Sequence, residues 1–168
     1  GLPATYVEDE SEATTLLVTM YDTVMETELI LSYTIYEALP VICRNARFIH
    51  CGQAPISLET AMSMNLDLPD KEYEMLELTG AWSRERSVKE RRLEHGIQSI
   101  YSMRGNSSNN FNPFIALKRF DASEFNGEVL GFSFVYSGNF LAQVEVDTYD
   151  VTRISMGLHP HCFSWTLS

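Results

Sequence analysis

The run LGFSFVYSGNFLAQVEV, residues 130–146, holds two apolar rows of period two. Leu130, Phe132, Phe134 and Tyr136 form the first, and Phe140, Ala142, Val144 and Val146 the second. Such alternation marks strands with one buried face. Ser137-Gly138-Asn139 between them reads as a hairpin turn in which Gly138 takes a positive φ, and Gly105 is read as a turn glycine in the same way. The pattern recurs at Ile56, Leu58, Met62, Met64, Leu66 and Leu68, read as one half-buried strand. Leu29, Leu31, Tyr33 and Ile35 repeat it, with Ile30 and Tyr36 blurring the alternation as in a strand covered on both sides. Breaks at Leu39-Pro40, Cys51-Gly52, Leu68-Pro69-Asp70, Asn106 to Asn112 and Asn126-Gly127 cut the chain into many short strands. The expectation is an all-β chain with an antiparallel β-sandwich core. Residues 83–94 are rich in Arg, Glu and Lys, but with only Val88 and Leu93 apolar a helix there would have no stripe to bury. That segment is read as exposed and extended.

The chain has 168 residues, enough for one domain or two very small ones and for a core that needs no disulfide or metal staple. No run of eighteen apolar residues is present, which removes a membrane-spanning helix, and Gly1-Leu2-Pro3 lacks the basic and apolar regions of a signal peptide. Without an initiator Met, the chain is expected to begin after processing or to come from something longer. Twelve Lys and Arg against 23 Asp and Glu give a net charge of −11. That field repels phosphate backbones and anionic lipid, so neither nucleic acid nor a membrane is an expected partner. The acid sits early, and Glu8, Asp9, Glu10 and Glu12 read as a solvated face. Cys43, Cys51 and Cys162 are too few and odd in number for a disulfide framework, which favours thiols and a reducing, cytoplasmic compartment. Asn106-Ser107-Ser108 matches a glycosylation sequon, a tripeptide that arises often by chance.

Residues able to carry chemistry are few. His159, His161 and Cys162 lie close together, but on a strand the two histidines share a face while the cysteine points away, so no metal site is expected. His50 beside Cys51 is directed to the opposite face in the same way and makes no nucleophilic pair. Asp67 and Asp70 flank Pro69 and read as solvated turn acids. Gln98, Ser99 and Arg104 read as a polar cluster in a buried region that satisfies backbone groups or one another. Trp165, in the apolar stretch Cys162-Phe163-Ser164-Trp165-Thr166-Leu167, reads as core.

Several segments taken in order are more specific. They are Leu78-Thr79-Gly80-Ala81-Trp82-Ser83-Arg84-Glu85-Arg86, Gly96-Ile97-Gln98-Ser99-Ile100, Arg104-Gly105-Asn106-Ser107-Ser108, Asn112-Pro113-Phe114, residues 131–145 and Phe163-Ser164-Trp165. Together they resemble α-galactosidases of glycoside hydrolase family 36, and Leu2-Pro3-Ala4-Thr5-Tyr6 extends the similarity to nearly the whole chain. Two places depart from the family pattern: Asn109-Asn110-Phe111, and Leu158-His159-Pro160-His161-Cys162.

The resemblance implies that residues 1–168 are part of the N-terminal β-sandwich domain, a galactose-mutarotase-like supersandwich, without the catalytic (β/α)8 barrel. The family's enzymes are retaining, release terminal α-galactose from oligosaccharides such as melibiose and raffinose, and keep both catalytic acids in the barrel. The resemblance therefore implies no catalytic residue in this chain, no cofactor, docking with the barrel of the same polypeptide, and a homo-oligomer, commonly a tetramer. Further strands of the same sandwich are expected ahead of residue 1, which makes an exposed sheet edge a hazard.

Trp82 is the candidate sugar-contacting residue. An indole face complements the C–H patch of a pyranose, and Gly80 and Ala81 leave room for close backbone approach; the resemblance places this loop toward the galactose site. A core or interface tryptophan is the plain alternative. Arg84, Glu85 and Arg86 are candidates for fixing that loop or docking it onto the barrel, with ordinary surface salt bridging as their alternative. The expected function is a non-catalytic, assembly-supporting part of an α-galactosidase that supplies Trp82 to the sugar site. The rivals are a self-contained carbohydrate-binding module, with exposed aromatics on a concave sheet, and a scaffold with no sugar contact.

Overall fold

The computed structural model describes residues 7–168. The opening Leu2-Pro3-Ala4-Thr5-Tyr6 lies outside the described residues. The strands are β1 (Ala13–Asp22), β2 (Thr27–Tyr36), β3 (Ile42–His50), β4 (Ile56–Leu58), β5 (Met64–Leu68), β6 (Tyr73–Ala81), β7 (Arg84–Arg92), β8 (Gly96–Ser102), β9 (Phe111–Arg119), β10 (Val129–Ser133), β11 (Phe140–Val146), β12 (Thr152–Leu158) and β13 (Trp165–Leu167). Every pairing among them is antiparallel. Two 3-10 turns, Glu10–Glu12 and Pro160–Cys162, complete the regular structure; the described residues contain no α-helix and no (β/α)8 barrel. The all-β, sandwich-like arrangement is the one that the alternation predicts.

The chain forms two compact units, one of the described residues up to Glu59 with Ser164–Ser168, the other Thr60–Phe163. In the first, β1, β2 and β3 form a meander, and β4 pairs with β13 in a two-stranded ribbon. The central strand β2 is half-buried along most of its length with only Thr34 buried outright, short of the two-sided cover expected for it. Trp165 is 63% exposed on the ribbon, against its reading as core. Its three-residue strand pairs with β4 alone, and a two-stranded ribbon supplies no second layer of its own.

The second unit is a sandwich of two four-stranded sheets, ordered β10-β9-β6-β7 and β5-β12-β11-β8. Phe140, Ala142, Val144 and Val146 of β11 are buried in the shared core with Met75, Ile100, Ile115, Leu117, Ile154 and Met156. Leu130, Phe132 and Phe134 pack against the same core. The second row and the first as far as Phe134 thus do what their period demands, while Tyr136 is 48% exposed beyond the end of β10; the strands of the two rows do not pair. β10 bonds to β9, and β11 lies in the other sheet between β8 and β12. Ser137-Gly138-Asn139 is therefore a crossing between sheets and not a hairpin turn.

The reason is how the connection spends its polar groups. The Ser107 amide donates to the Ser137 carbonyl at 2.8 Å, and the Gly105 amide to Asn139 Oδ1 at 2.7 Å. Gly138 has no positive φ; a Cβ there would come within 2.5 Å of the outer ring and hydroxyl of half-exposed Tyr136, which would have to swing aside. Gly105, at φ 82°, is the left-handed turn glycine expected.

Residues 56–68 are two strands, since β4 pairs with β13 in the first unit and β5 with β12 in the second, with the boundary between Glu59 and Thr60. The segment at 83–94 is extended, as predicted. As β7 it forms a fully exposed edge of its sheet, where Arg, Lys and Glu discourage pairing with another chain. Asp67 and Asp70 are tied down and not merely solvated: Asp67 takes a two-pronged bond from Arg153 at 2.7 and 2.8 Å, and Asp70 one from Arg119 at 2.6 and 3.2 Å. Arg119 also bonds Glu128 and stacks 3.8 Å over the Tyr73 ring, closing one end of the unit.

Truncating Phe140, fully buried, to Ala should cost about 3–5 kcal/mol in urea denaturation. Trp82→Ala, at a position 84% exposed, should change stability by less than about 0.5 kcal/mol.

Candidate functional site

Strand order gathers several quoted motifs at the end of the second unit opposite the Arg119 network. Ala81 and Arg84 end the β6–β7 hairpin, Phe111 opens β9, and Ser133 ends β10. In the facing sheet, Phe140 pairs with Ser102 on one side and Leu158 on the other. The Trp82 tip, the loop after β8, the connection into β11 and the segment after β12 therefore share one end.

The tip is shaped by backbone irregularity. Thr79 pairs with Ser87 but Ala81 with Arg84, so Glu85 and Arg86 together oppose Gly80 in a bulge, with Arg86 at φ 59°. Ser83 is left-handed as well, at φ 63°, and its amide donates to Glu85 Oε1 at 2.9 Å. A Cβ at Gly80 would lie 2.8 Å from the Arg84 carbonyl oxygen, 2.8 Å from Glu85 Cα and 2.9 Å from the Asn109 carbonyl oxygen, all backbone atoms. The Gly80 amide donates to the Asn110 carbonyl at 2.9 Å, which joins the hairpin to the β8–β9 loop. Trp82 stands out from this fixed base with its indole in solvent. Glu85 thus bonds within the hairpin tip. Arg84 and Arg86 are exposed and form no ion pair among the described residues.

The loop after β8 lines a cleft of about 180 Å³ formed by Tyr101, Ser102, Met103, Arg104, Ser108, Asn110 and Phe111. Ser108 Oγ donates to Asn110 Oδ1 at 2.9 Å, and Ser102 Oγ to the Asn106 carbonyl at 2.5 Å. Arg104 is exposed at the cleft, so Gln98, Ser99 and Arg104 do not gather as one cluster, although Gln98 satisfies a backbone group as expected. Gln98 donates to the Glu94 carbonyl at 3.0 Å, and the Ser99 carbonyl accepts from Arg91 at 3.5 Å. Tyr101, Ser108 and Asn110 were not legible as site residues. The asparagine- and serine-rich run reads locally as a turn, and only the pairing of β8 and β9 with different sheets brings Tyr101 and Asn110 to one cleft.

His159 closes the same end. It is 7% exposed, its amide donates to the Asn139 carbonyl at 3.3 Å, and its ring meets Tyr101 and His161 edge-on, each at 5.5 Å. The segment is not the strand assumed for it. His159 caps the 3-10 turn Pro160–Cys162, its Nδ1 accepting the His161 amide at 3.2 Å. Among the described residues no three His, Cys, Asp or Glu side chains gather as a metal-ligand set. None of the three cysteines forms a disulfide.

Asp67 and Asp70 do not suit the acid role in glycoside hydrolysis, which needs a carboxyl still protonated near neutral pH. The bond from Arg153 holds the Asp67 pKa below its usual value, and the bond from Arg119 does the same for Asp70.

The model of the glycosyl hydrolase family 36 N-terminal domain matches residues 1–168. The chain belongs to glycoside hydrolase family 36. α-Galactosidase AgaA of Geobacillus stearothermophilus is 51% identical over 167 residues, 99% of this chain and 23% of that protein. The crystal structure of AgaA matches with a TM-score of 0.96 at 50% identity. That of the α-galactosidase from Lactobacillus brevis matches at 0.93 and 39% identity, covering 96% of this chain and 22% of that one. This family 36 domain segment thus spans about a quarter of the length of its relatives.

Burial, then the neighbouring His161, push the His159 pKa below the ordinary histidine value of about 6.5. The unfolded chain therefore takes this proton first. The contribution of His159 to stability is complete above about pH 6.5 and is lost as pH falls through the depressed folded value. His159→Asn keeps a capping acceptor that does not titrate. Urea midpoints should fall less between pH 7.5 and 5.5 in His159→Asn than in the wild type; equal falls would remove the cap's role.

Proposed function

We propose that this chain is a non-catalytic part of a retaining α-galactosidase. On this reading the Trp82 hairpin presents its indole at the rim of a sugar site whose two reactive acids lie in a barrel elsewhere in the same polypeptide. The observation that carries the proposal is Trp82 itself: a tryptophan left 84% in solvent on a hairpin whose backbone is fixed by Gly80, Glu85 and the bulge at Arg86. Exposing an indole forgoes its burial energy, and a rigid base keeps it in place for a partner surface. The full family match over residues 1–168 supports the enzyme context. AgaA variants crystallised in complex with raffinose and with stachyose support α-galactosides of that type as the substrate class. The assembly role includes contacts between subunits of a homo-oligomer, in a cytoplasmic enzyme.

In the complete enzyme, Trp82→Ala should raise KM for raffinose about tenfold or more with thermal stability unchanged, from the loss of one stacked ring. Unchanged kinetics would leave a scaffold with no sugar contact. The chain alone should release no nitrophenol from nitrophenyl α-galactoside.

A further inference from the structure

The connection from β9 to β10, residues 120–128, carries the one Asn-Gly pair in the sequence, Asn126-Gly127, and both residues are exposed. Glycine is required at its position: φ is 94°, and a Cβ would lie 2.5 Å from Ala122 Cα. The backbone is pinned around the pair. The Arg119 amide donates to the Glu128 carbonyl at 3.0 Å, and the Ser123 amide to the Asn126 carbonyl at 2.9 Å. Two groups stay outside this bonding. Among the described residues, neither the Gly127 amide nor the Asn126 side-chain NH2 has a hydrogen-bond partner. Asn126 Oδ1, by contrast, accepts from Ser123 Oγ at 2.7 Å. Ser123 Oγ itself accepts from the Phe125 amide at 3.3 Å, which makes the hydroxyl a stronger donor.

A carboxamide carbon and the uncommitted backbone nitrogen that follows it are an electrophile and a nucleophile in one short ring. No side chain on Gly127 shields that nitrogen. Negative charge that develops on Oδ1 during attack meets the Ser123 hydroxyl, as in an oxyanion hole. Asn106 and Asn139 are placed differently. The Ser107 amide that follows Asn106 is spent on the Ser137 carbonyl, and Phe140, which follows Asn139, is fully buried in the core.

We propose that Asn126 is a site of spontaneous deamidation promoted by Ser123. The Gly127 nitrogen loses its proton to solvent base and bonds to Asn126 Cγ; the Cγ–Nδ2 bond breaks, and Nδ2 takes up a proton and leaves as ammonia. Water then opens the resulting succinimide. Addition at Cγ gives aspartate, and addition at the main-chain carbonyl gives isoaspartate, whose chain runs through Cβ. One water is consumed and one ammonia released, with no oxidant or reductant. Either product places a new carboxylate between Glu124 and Glu128, the residue that bonds Arg119 at 3.0 Å. In the isoaspartate the carbonyl that accepts from Ser123 is displaced, which loosens the connection beside the charged end of the unit.

The test is to age the complete enzyme at neutral and at mildly alkaline pH and to follow the peptide 120–153, released by cleavage after Arg119 and Arg153, by mass spectrometry. That peptide should gain about 1 Da, the exchange of NH2 for OH, at Asn126 and not at Asn139, faster at the higher pH. Asn126→Gln, whose longer amide needs a larger ring, should abolish the gain. Ser123→Ala, checked for an unchanged thermal midpoint, should slow it about tenfold, the worth of one hydrogen bond to developing charge. Ser123→Thr, which keeps the hydroxyl, should restore the rate. An Asn126 that persists in the folded enzyme while the isolated peptide deamidates overturns the proposal. So does a rate in Ser123→Ala equal to or above that of the wild type.

Discussion

One apolar core, shared by two four-stranded sheets, governs the second unit. The rows of β6, β9, β11 and β12 that meet there leave no interior space for polar loops, so every connection must run at an end or along an edge. At one end the connections are held by charge, through Arg119, Asp70 and Glu128. At the other they are held by backbone hydrogen bonds between loops that are far apart in sequence: Gly80 to Asn110, Ser107 to Ser137 and His159 to Asn139. The second kind leaves side chains uncommitted, which is why exposed Trp82 occurs there and not at the charged end.

Much of this was legible in the residues and some was not, for physical reasons that differ by case. Phe140, Ala142, Val144 and Val146 announce their burial because a period of two has one meaning on a pleated strand. Their partner strand is not announced, because Ser137-Gly138-Asn139 has the composition of a hairpin turn while its amides and carbonyls are claimed by another loop. Residues 56–68 keep one alternation across a break because each half answers to a different sheet. Trp165 reads as core from its neighbours, yet exposure depends on whether a second layer covers the ribbon. The edge strand β7 is the converse case, where the absence of an apolar stripe was itself informative.

The site divides in the same way. Trp82 and Glu85 are singled out from chemistry and resemblance together; the structure leaves the indole exposed and bonds Glu85 to the Ser83 amide at the tip. The bulge that orients Trp82 could not be seen, since it arises from a mismatch between two strands and not from any residue type. Tyr101 and Asn110 are ordinary residues made neighbours by the turn between sheets, and nothing local distinguishes them.

The pairing of Leu58 with Trp165 places the points where the chain leaves and rejoins the first unit within about 5 Å, one interstrand step. Thr60–Phe163 is thus topologically an insert, entered and exited through a single doorway. Such a module tolerates lengthening, exchange or removal with little demand on its host, because the ribbon of β4 and β13 serves as the clasp that any replacement would inherit.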